Sequence, residues 1–373
     1  MFTRSRTLAR IGGVPIQVDP TWFLIILLLA WSFWSRFTTG PPTHPAGVAL
    51  AMAVTATALF ALSVLAHELA HALEAKRRGV PVGGITLYLF GGATEILSEE
   101  VKGPGDQLAL TIAGPWTSLV LGALFGLIAY LSQQAGLQAL SDVFGELGWL
   151  NALLAVFNLL PGAPLDGGRV LAAVAWKVTG DRERATRIAA RAGVLMGTLI
   201  LAAGLWELFF VAAGLGGIWL AFIGWFLIQA ARAEEFQAEL RRRLAGVPAG
   251  RAATPLFAVP EGMPLAGVIE NGFRSHHLDS LLVGDRATPS GVLTLDDVRA
   301  VPAGERARVL AGAVARPLSG LPVVDADAPA ASALPLVAQG PVVVTRDGHV
   351  VGILTAPQLL AAAQRARDLE RAP

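Results

Sequence analysis

Apolar residues occur along the first part of the chain in runs long enough to cross a lipid bilayer. A transmembrane helix needs roughly 20 consecutive, predominantly apolar residues. Runs of this kind are predicted at about 18–36, 47–75, 108–131, 146–176, 188–213 and 216–231. The pattern therefore predicts a polytopic α-helical membrane protein with about six transmembrane helices.

The fourth predicted span contains a break. The segment Pro161-Gly162-Ala163-Pro164 interrupts its apolar run, and proline cannot continue a regular helix. Non-helical backbone at membrane depth is tolerated only where it is buried in protein or lines a cavity. The break therefore marks a region that is predicted to be functional.

Basic residues predict the orientation of the spans. Lysine and arginine flank the N-terminus and the ends of the second, fourth and sixth spans, whereas the loops at 40–45, 133–146 and 214–217 contain neither. The positive-inside rule then places the loops at 76–107 and 177–187 and both termini in the cytoplasm. We expect a multi-pass protein of the inner or plasma membrane, with an uncleaved first span.

Composition narrows the class further. The chain of 373 residues is 54% hydrophobic and 15% charged, which is typical of a membrane protein. It has no cysteine, which excludes disulfides and thiolate metal sites. A formal net charge of +1 gives no support for a nucleic-acid partner.

A short β-rich stretch lies between the second and third spans. Residues 81–96 are apolar, too short for a transmembrane helix and bounded by glycines, which predicts a hairpin that lies on the membrane or dips into it. The edge of such a hairpin can pair with an extended peptide by strand addition. A purely structural hairpin is the alternative interpretation.

The composition changes after Gly246. We expect a transmembrane domain at 1–240, a linker at 241–249, a soluble α/β domain at 250–365 and a tail at 366–373. The soluble segment contains an internal repeat, because Gly291–Val298 recurs as Gly352–Leu359. Two half-size α/β units are predicted to pack as one pseudo-dimeric domain.

The motif His67-Glu68-Leu69-Ala70-His71 ends the second apolar run. On a helix, histidines four residues apart face the same side, and their neutral imidazoles can hold one Zn²⁺. Glu68 can then act as general base on a water at that zinc. The pattern also occurs on the wet face of soluble helices or in inactive proteins, but the residues before His67 provide no wet face.

A catalytic zinc of this type needs a third protein ligand. Asp166 follows the break in the fourth span, on the same predicted side as the two histidines, and it also suits the N-cap of a helix at 167–178. Asn158 in the same span could stabilise an oxyanion or join two helices. The other candidates lie in loops, across the membrane or in the soluble domain: Glu95, Asp106, His44, His276, His277 and His349.

These motifs together resemble the site-2 proteases, the intramembrane zinc metalloproteases, in the form that carries a C-terminal pair of CBS domains. The resemblance covers about 10–230 for the protease and 250–365 for the CBS pair. It rests on the HExxH helix, on Gly91-Gly92 in the hairpin, on Ala113-Gly114-Pro115 and on the stretch from Asn158 to Gly168. The chain departs from the family pattern at Ala70, where Gly is frequent, and at Ser118, where Asn is common.

The resemblance implies a fold, an activity and partners. The fold is a helical membrane protein with a cytosolic α/β CBS pair, and the activity is cleavage of transmembrane segments, with His67, His71 and Asp166 on one Zn²⁺. The implied substrates are membrane-spanning proteins in the lipid bilayer: anti-sigma factors, pro-factors or remnant signal peptides. Gly91, Gly92 and Asn158 would contact the substrate.

The CBS pair is implied to sense an adenine nucleotide through Thr294 and Asp297, and Gln358 stands where the second copy would have the aspartate. A homodimer formed through the pair is the alternative role. Two other functions also fit a CBS pair on membrane helices: a regulated transporter or channel, and an inactive scaffold that binds helices.

Overall fold

The computed structural model describes residues 6–371, apart from residues 90, 97–100, 212–214, 256, 277, 286–287 and 339. The chain divides into two compact units, Met1–Glu235 and Phe236–Pro373. We call them the membrane unit and the C-terminal unit and describe each by itself.

Long apolar helices make up most of the membrane unit. Among the described residues, six helical segments are long and apolar enough to cross a membrane, which confirms the predicted class. The helices are α1 (Trp22–Thr39), α2 (Ala46–Arg77), α3 (Pro104–Gln134), α4 (Gln138–Asn158), α5 (Asp166–Thr179), α6 (Arg182–Trp206, continued by the π-helix Glu207–Val211) and α7 (Leu215–Ala245), whose residues after Glu235 belong to the C-terminal unit.

The predicted fourth span at 146–176 is two helices. Helix α4 ends at Asn158 and is long enough to span alone, whereas α5 is a separate helix of 14 residues. The two prolines of the intervening segment cannot continue α4, because proline lacks the backbone N–H. Asp166 is the first residue of α5 and Leu165 is the N-cap, so Asp166 does not cap the helix with its side chain.

The broken segment packs directly against α6. The backbone N–H of Ala163 donates to the carbonyl of Ala189 at 3.1 Å. A Cβ atom at Gly193 would lie 2.0 Å from the carbonyl oxygen of Ala163, so only glycine permits this approach. Helix α6 thereby supports the segment that leads into Asp166.

A four-stranded sheet accompanies the helices. Its order is β1–β2–β3–β4, with β2 parallel to β3 and the outer pairs antiparallel. The predicted hairpin is present as β3 and β4, and the sheet core packs against α1 and α2. The strands are β1 (Arg6–Ile11), β2 (Val14–Val18), β3 (Val82–Tyr88) and β4 (Gly91–Ile96).

The first two strands were not predicted. Val14, Ile16 and Val18 of β2 are buried and alternate with half-buried positions, so this segment belongs to the sheet. The first helix consequently starts at Trp22 and not at the predicted residue 18.

The C-terminal unit contains two four-stranded sheets, ordered β6–β7–β8–β9 and β10–β11–β12–β5. The strands are β5 (Thr254–Pro255), β6 (Ala258–Val259), β7 (Ser280–Gly284), β8 (Pro289–Thr294), β9 (Arg316–Pro317), β10 (Val323–Asp325), β11 (Val342–Arg346) and β12 (His349–Leu354). The helices are α8 (Ala249–Ala252), α9 (Leu265–Val268, continued by the π-helix Ile269–Arg274), α10 (Leu295–Arg299), α11 (Ala311–Val314), α12 (Leu334–Val337) and α13 (Ala356–Arg371).

The two sheets share one topology, which agrees with the repeat found in the sequence. Each has a parallel pair, a hairpin and a two-residue outer strand. The two-residue strands β5 and β9 are exchanged between the repeats. β5 precedes the first repeat in the chain but pairs with β12 of the second sheet, and β9 precedes the second repeat but pairs with β8 of the first sheet. Arg316 pairs with Val292 and Thr254 pairs with Ile353, so Arg316 and Thr254 occupy equivalent positions.

The segment predicted as a linker, 241–249, is part of the C-terminal unit. Residues 241–245 continue α7, and Leu244 and Ala249 are fully buried in the core of that unit. The predicted tail likewise starts as helix, because α13 extends to Arg371. Burial of the apolar side chains of Leu244 and Ala249 accounts for the difference in the linker.

Candidate active site

Two histidines and one aspartate meet inside the membrane unit. His67 and His71 lie one turn apart on α2 and are 4% and 6% exposed. Their Nε2 atoms are 3.3 Å apart, and each lies 3.2 Å from Oδ2 of Asp166 at the start of α5. The structure thus brings together the three ligands predicted from the sequence, which are the only group of this kind among the described residues.

The arrangement fits a zinc ion. Tetrahedral coordination with Zn–N bonds of about 2.0–2.1 Å places neighbouring ligand atoms about 3.3–3.4 Å apart. The three separations of 3.2–3.3 Å are close to that value. The two histidines are buried and the Asp166 side chain is 13% exposed. A cation bound between the three ligand atoms would offset the cost of removing them from water.

The outer ring nitrogens fix both imidazoles. Nδ1 of His67 lies 2.9 Å from Oγ of the fully buried Ser118, and Nδ1 of His71 lies 2.7 Å from the carbonyl oxygen of Leu110. A protonated Nδ1 donates in both bonds, which leaves the Nε2 lone pair for a metal. Ser118 and Leu110 both belong to α3, so this helix orients the ligands carried by α2.

Gly114 of α3 makes room for the cluster. A Cβ atom there would lie 2.2 Å from Nε2 of His71 and 2.6 Å from Nε2 of His67. Any side chain at this position would occupy the space where the ligand atoms converge. The glycine of the Ala113-Gly114-Pro115 sequence in α3 therefore has a steric explanation.

Glu68 is held by strand β4. Oγ1 of Thr94 donates to Oε2 of Glu68 at 2.6 Å and also lies 3.1 Å from the Glu68 carbonyl oxygen. A Cβ atom on Gly92 would lie 2.3 Å from Cγ of Glu68, so the strand and the glutamate are in direct contact. The hairpin predicted from the sequence thus packs against the predicted general base.

The remaining candidates differ in their surroundings. Gly91 begins β4 opposite Tyr88, whereas Asn158 is half-buried at the end of α4 and forms no hydrogen bond through its side chain among the described residues. Two discarded candidate ligands are paired elsewhere: His44 lies 2.7 Å from Asp142, and Asp106 lies 2.5 Å from Arg78.

Comparison with known proteins decides the family. A model described as peptidase family M50 matches residues 55–144 and 126–201. Rip3 of Mycobacterium tuberculosis, which is named as a zinc metalloprotease, is 39% identical over 365 residues, covering 93% of this chain and 90% of that protein. The chain belongs to peptidase family M50. It is therefore a zinc metalloprotease, and its six apolar helices make it a multi-pass intramembrane enzyme.

Other relatives and solved structures are similar over different lengths of the chain. The Synechocystis protein sll0528, also named as a zinc metalloprotease, is 32% identical over 359 residues, covering 94% of this chain and 93% of its own. The structure of a site-2 protease from Methanocaldococcus jannaschii is 26% identical, covers 62% of this chain and 95% of its own, and gives a TM-score of 0.44. A CBS domain of a bacterial CNNM/CorC family Mg²⁺ transporter is 17% identical, covers 35% of this chain and 82% of its own, and gives a TM-score of 0.29.

The two residues predicted to bind a nucleotide are hydrogen-bonded to each other. Thr294 and Asp297 form a reciprocal capping box at the start of α10. Arg316 binds Oδ1 of Asp297 with Nε at 3.0 Å and Nη2 at 2.7 Å. Burial would raise the pKa of Asp297, but hydrogen bonds from Thr294 and Arg316 outweigh it and leave that pKa below its ordinary value.

The second repeat replaces this ion pair with neutral groups. Gln358 accepts hydrogen bonds from the backbone N–H and Oγ1 of Thr355, as Asp297 does from Thr294. Thr254 stands at the position equivalent to Arg316. The change from aspartate to glutamine is therefore matched by loss of the arginine.

Two residues that contact the predicted site were missed from the sequence. Neither Thr94 nor Ser118 is among the site residues predicted from the sequence, where Ser118 stands out only as a departure from the family pattern. Ser118 is a small, polar residue inside an apolar helix, four residues after Gly114, and this placement indicates a functional position. The contact of Thr94 with Glu68 depends on how the hairpin folds back on α2, which no local pattern contains.

Proposed function

We propose that this enzyme hydrolyses peptide bonds in membrane-spanning segments of other proteins, with the metal on His67, His71 and Asp166. The observation that carries the proposal is the buried three-ligand cluster beside Glu68, on a helix whose preceding turns are apolar. A soluble substrate would not need its cleavage site inside such a helix bundle. The bilayer is thus the proposed medium of the reaction.

Each residue has a proposed task. A zinc ion bound here supplies Lewis-acid polarisation of the scissile carbonyl and lowers the pKa of a water. Glu68 accepts the proton of the attacking water and transfers it to the leaving amine. Thr94 keeps the Glu68 carboxylate in one orientation, while Ser118 and the Leu110 carbonyl hold the two imidazoles.

Strand β4 is the proposed docking edge for the substrate. It is the last strand of the sheet order, and it contacts Glu68 through Gly92 and Thr94. An extended peptide added to its free edge would form backbone hydrogen bonds and run beside the general base. Helical transmembrane segments must unwind to bind in this way, which favours substrates whose transmembrane helix has low stability near the cleavage site. Gly91 and Asn158 remain proposed contacts of that peptide.

Substrates of the anti-sigma factor, pro-factor or remnant signal peptide type fit this proposal. The proposed orientation of the enzyme has both termini in the cytoplasm.

Glu68→Gln should trap such substrates in cells, because the amide cannot take the proton while the ligands are intact. Cross-linking and mass spectrometry of the trapped complex should recover single-span membrane proteins. Glu74→Gln, on the same helix, is the matched control, because Glu74 pairs with Arg78 and not with the cluster. Recovery of only soluble proteins, or equal recovery by the control, contradicts the proposed substrate class.

Asp166 provides a test of the metal site itself. Asp166→Ala should lose most of its zinc on purification, because two imidazoles alone bind zinc far more weakly than three ligands. Metal analysis by mass spectrometry gives the ratio of zinc to chain. Full retention of zinc would remove Asp166 from the site.

We propose in addition that an adenine nucleotide binding at Thr294 and Asp297 modulates the enzyme. In the structure Arg316 holds the carboxylate that would bind ribose hydroxyls, so the nucleotide must compete with this side chain. Arg316→Gln should tighten binding of ATP, ADP or AMP to the full chain in calorimetry, and Asp297→Ala should abolish it. Failure of all three nucleotides to bind either the wild type or Arg316→Gln would leave dimerisation as the role of the C-terminal unit.

A further inference from the structure

Three arginines lie along one face of the first turns of α6. Arg184, Arg187 and Arg191 follow one another at steps of three and four residues. At about 100° per residue, their side chains fall within roughly 60° of arc. They therefore form one basic stripe at the end of a helix that is apolar enough to cross the membrane.

The central arginine has one unsatisfied donor. Nε of Arg187 is buried and forms no hydrogen bond with any of the described residues. Arg191 is largely exposed, and its nearest carboxylate, Glu235, lies 3.7 Å away. Asp181 caps the helix by accepting from the backbone of Arg184, and Glu183 is exposed on the same turn. A buried guanidinium N–H without an acceptor is costly, so a group from outside the protein that supplies an acceptor would stabilise this end of α6.

The same face continues as an apolar surface. The helix turns by about 100° per residue, so the next exposed apolar side chains lie within roughly 60° of Arg184 around the helix axis. Leu195, Leu199 and Trp206 are 62%, 57% and 61% exposed, and Ile188 lies between the arginines. One helix face thus presents cations at its end and a smooth apolar surface beyond them. A molecule with an anionic head and hydrocarbon chains matches both parts.

We propose that this face of α6 binds an anionic phospholipid. The phosphate accepts hydrogen bonds from Arg187, with Arg184 and Arg191 on either side, and the acyl chains lie along Leu195 and Leu199. A soluble phosphate satisfies only the basic end, whereas a phospholipid of the surrounding bilayer satisfies the whole face. Because α6 supports the broken segment before Asp166, the lipid stabilises the helix against which that segment packs.

The test uses the full chain in nanodiscs of phosphatidylcholine alone or mixed with phosphatidylglycerol. The mixed bilayer should raise the apparent melting temperature of the wild type by on the order of 2–4 °C. Arg187→Gln should lose most of this increase, and the triple change of Arg184, Arg187 and Arg191 to Gln should lose all of it. Arg77→Gln is the matched control, since Arg77 is an exposed cation with an 83% exposed side chain at the end of another span. It should keep the full increase.

A second measurement separates a lipid from a free anion and does not depend on the triple variant folding. Native mass spectrometry should show phosphatidylglycerol retained by the wild type and by Arg77→Gln, but not by Arg187→Gln. Inorganic phosphate added in detergent should not reproduce the stabilisation. The proposal is overturned if Arg187→Gln responds to phosphatidylglycerol as the wild type does, if the wild type shows no response, or if inorganic phosphate alone gives the same stabilisation.

Discussion

The hydroxyl of Thr94 donates a 2.6 Å hydrogen bond to the carboxylate of Glu68. Glu68 belongs to α2, next to the first histidine of the cluster, whereas Thr94 belongs to the outer strand β4. The orientation of the proposed base is therefore set by the sheet and not by its own helix alone. A substrate that pairs with β4 would bind to the strand that holds the base.

This contact predicts a specific defect in Thr94→Val. The variant keeps the shape of the side chain but cannot donate, so the carboxylate should lose its fixed orientation. We expect kcat to fall by roughly 2–10-fold, the cost of one hydrogen bond, with little change in KM or zinc content. Steady-state cleavage of a reconstituted single-span substrate gives both constants.

Thr94→Ser is the control for this prediction, because it retains the hydroxyl. It should restore kcat to near the wild-type value. A Thr94→Val enzyme with unchanged kcat, or a Thr94→Ser enzyme as slow as the valine variant, would show that Thr94 does not position Glu68.

Gly114 gives a steric prediction. A methyl group at this position would lie 2.2 Å from Nε2 of His71, so Gly114→Ala should push the ligands apart and remove most of the bound zinc. Gly126→Ala on the same helix is the matched control, since a Cβ there meets no atom within 4 Å. Zinc content after purification distinguishes them. Equal zinc in both variants would mean that the ligands converge elsewhere.

Ser118 should affect zinc affinity without being a ligand. Ser118→Ala leaves Nδ1 of His67 without an acceptor, and loss of such a partner typically weakens metal binding by about 10–100-fold. Thr117→Ala, one residue earlier, removes a hydroxyl that bonds only to the backbone of its own helix and should leave affinity unchanged. Competition with a chelator measures both. An unchanged affinity in Ser118→Ala would exclude this positioning role.

The pair of Asp297 and Arg316 should stabilise the C-terminal unit in a pH-dependent manner. The folded-state pKa of Asp297 is lowered, so its contribution is complete above about 3.9, the ordinary pKa of aspartate, and is lost as the pH falls through the lowered value. Arg316 is 45% exposed, which limits the expected coupling to on the order of 1 kcal/mol. A double-mutant cycle with Asp297→Asn and Arg316→Gln on the full chain measures it. Coupling that persists unchanged below the lowered pKa would contradict the ion pair.

The cluster of His67, His71 and Asp166 could be predicted because its signals are local. The spacing of His67 and His71 places them on one helix face, and a lone carboxylate after a proline break in an apolar run has few alternatives. The internal repeat could be predicted equally well, since similar residues occur in the same order in Gly291–Val298 and Gly352–Leu359.

The remainder depends on contacts between distant segments. The alternation of Val14, Ile16 and Val18 signalled a strand, but the adjoining apolar run at 18–36 concealed it. The pairing of β2 with β3 brings together segments about seventy residues apart, and no local pattern encodes that. For the same reason the sequence does not predict the ion pair of Asp297 with Arg316. Arg316 lies near Asp297 because strand β9 pairs with β8.

Cleavage of a single-span protein by the wild type and by Glu68→Gln, reconstituted together with that protein in liposomes at matched zinc content, tests the central claim most directly. Glu68→Gln keeps all three ligands and changes only the group that takes the proton. We predict equal zinc in the two enzymes and a rate about 10²–10⁴-fold lower for Glu68→Gln, with the cut in the membrane-spanning segment. Cleavage by Glu68→Gln at close to the wild-type rate would contradict the account.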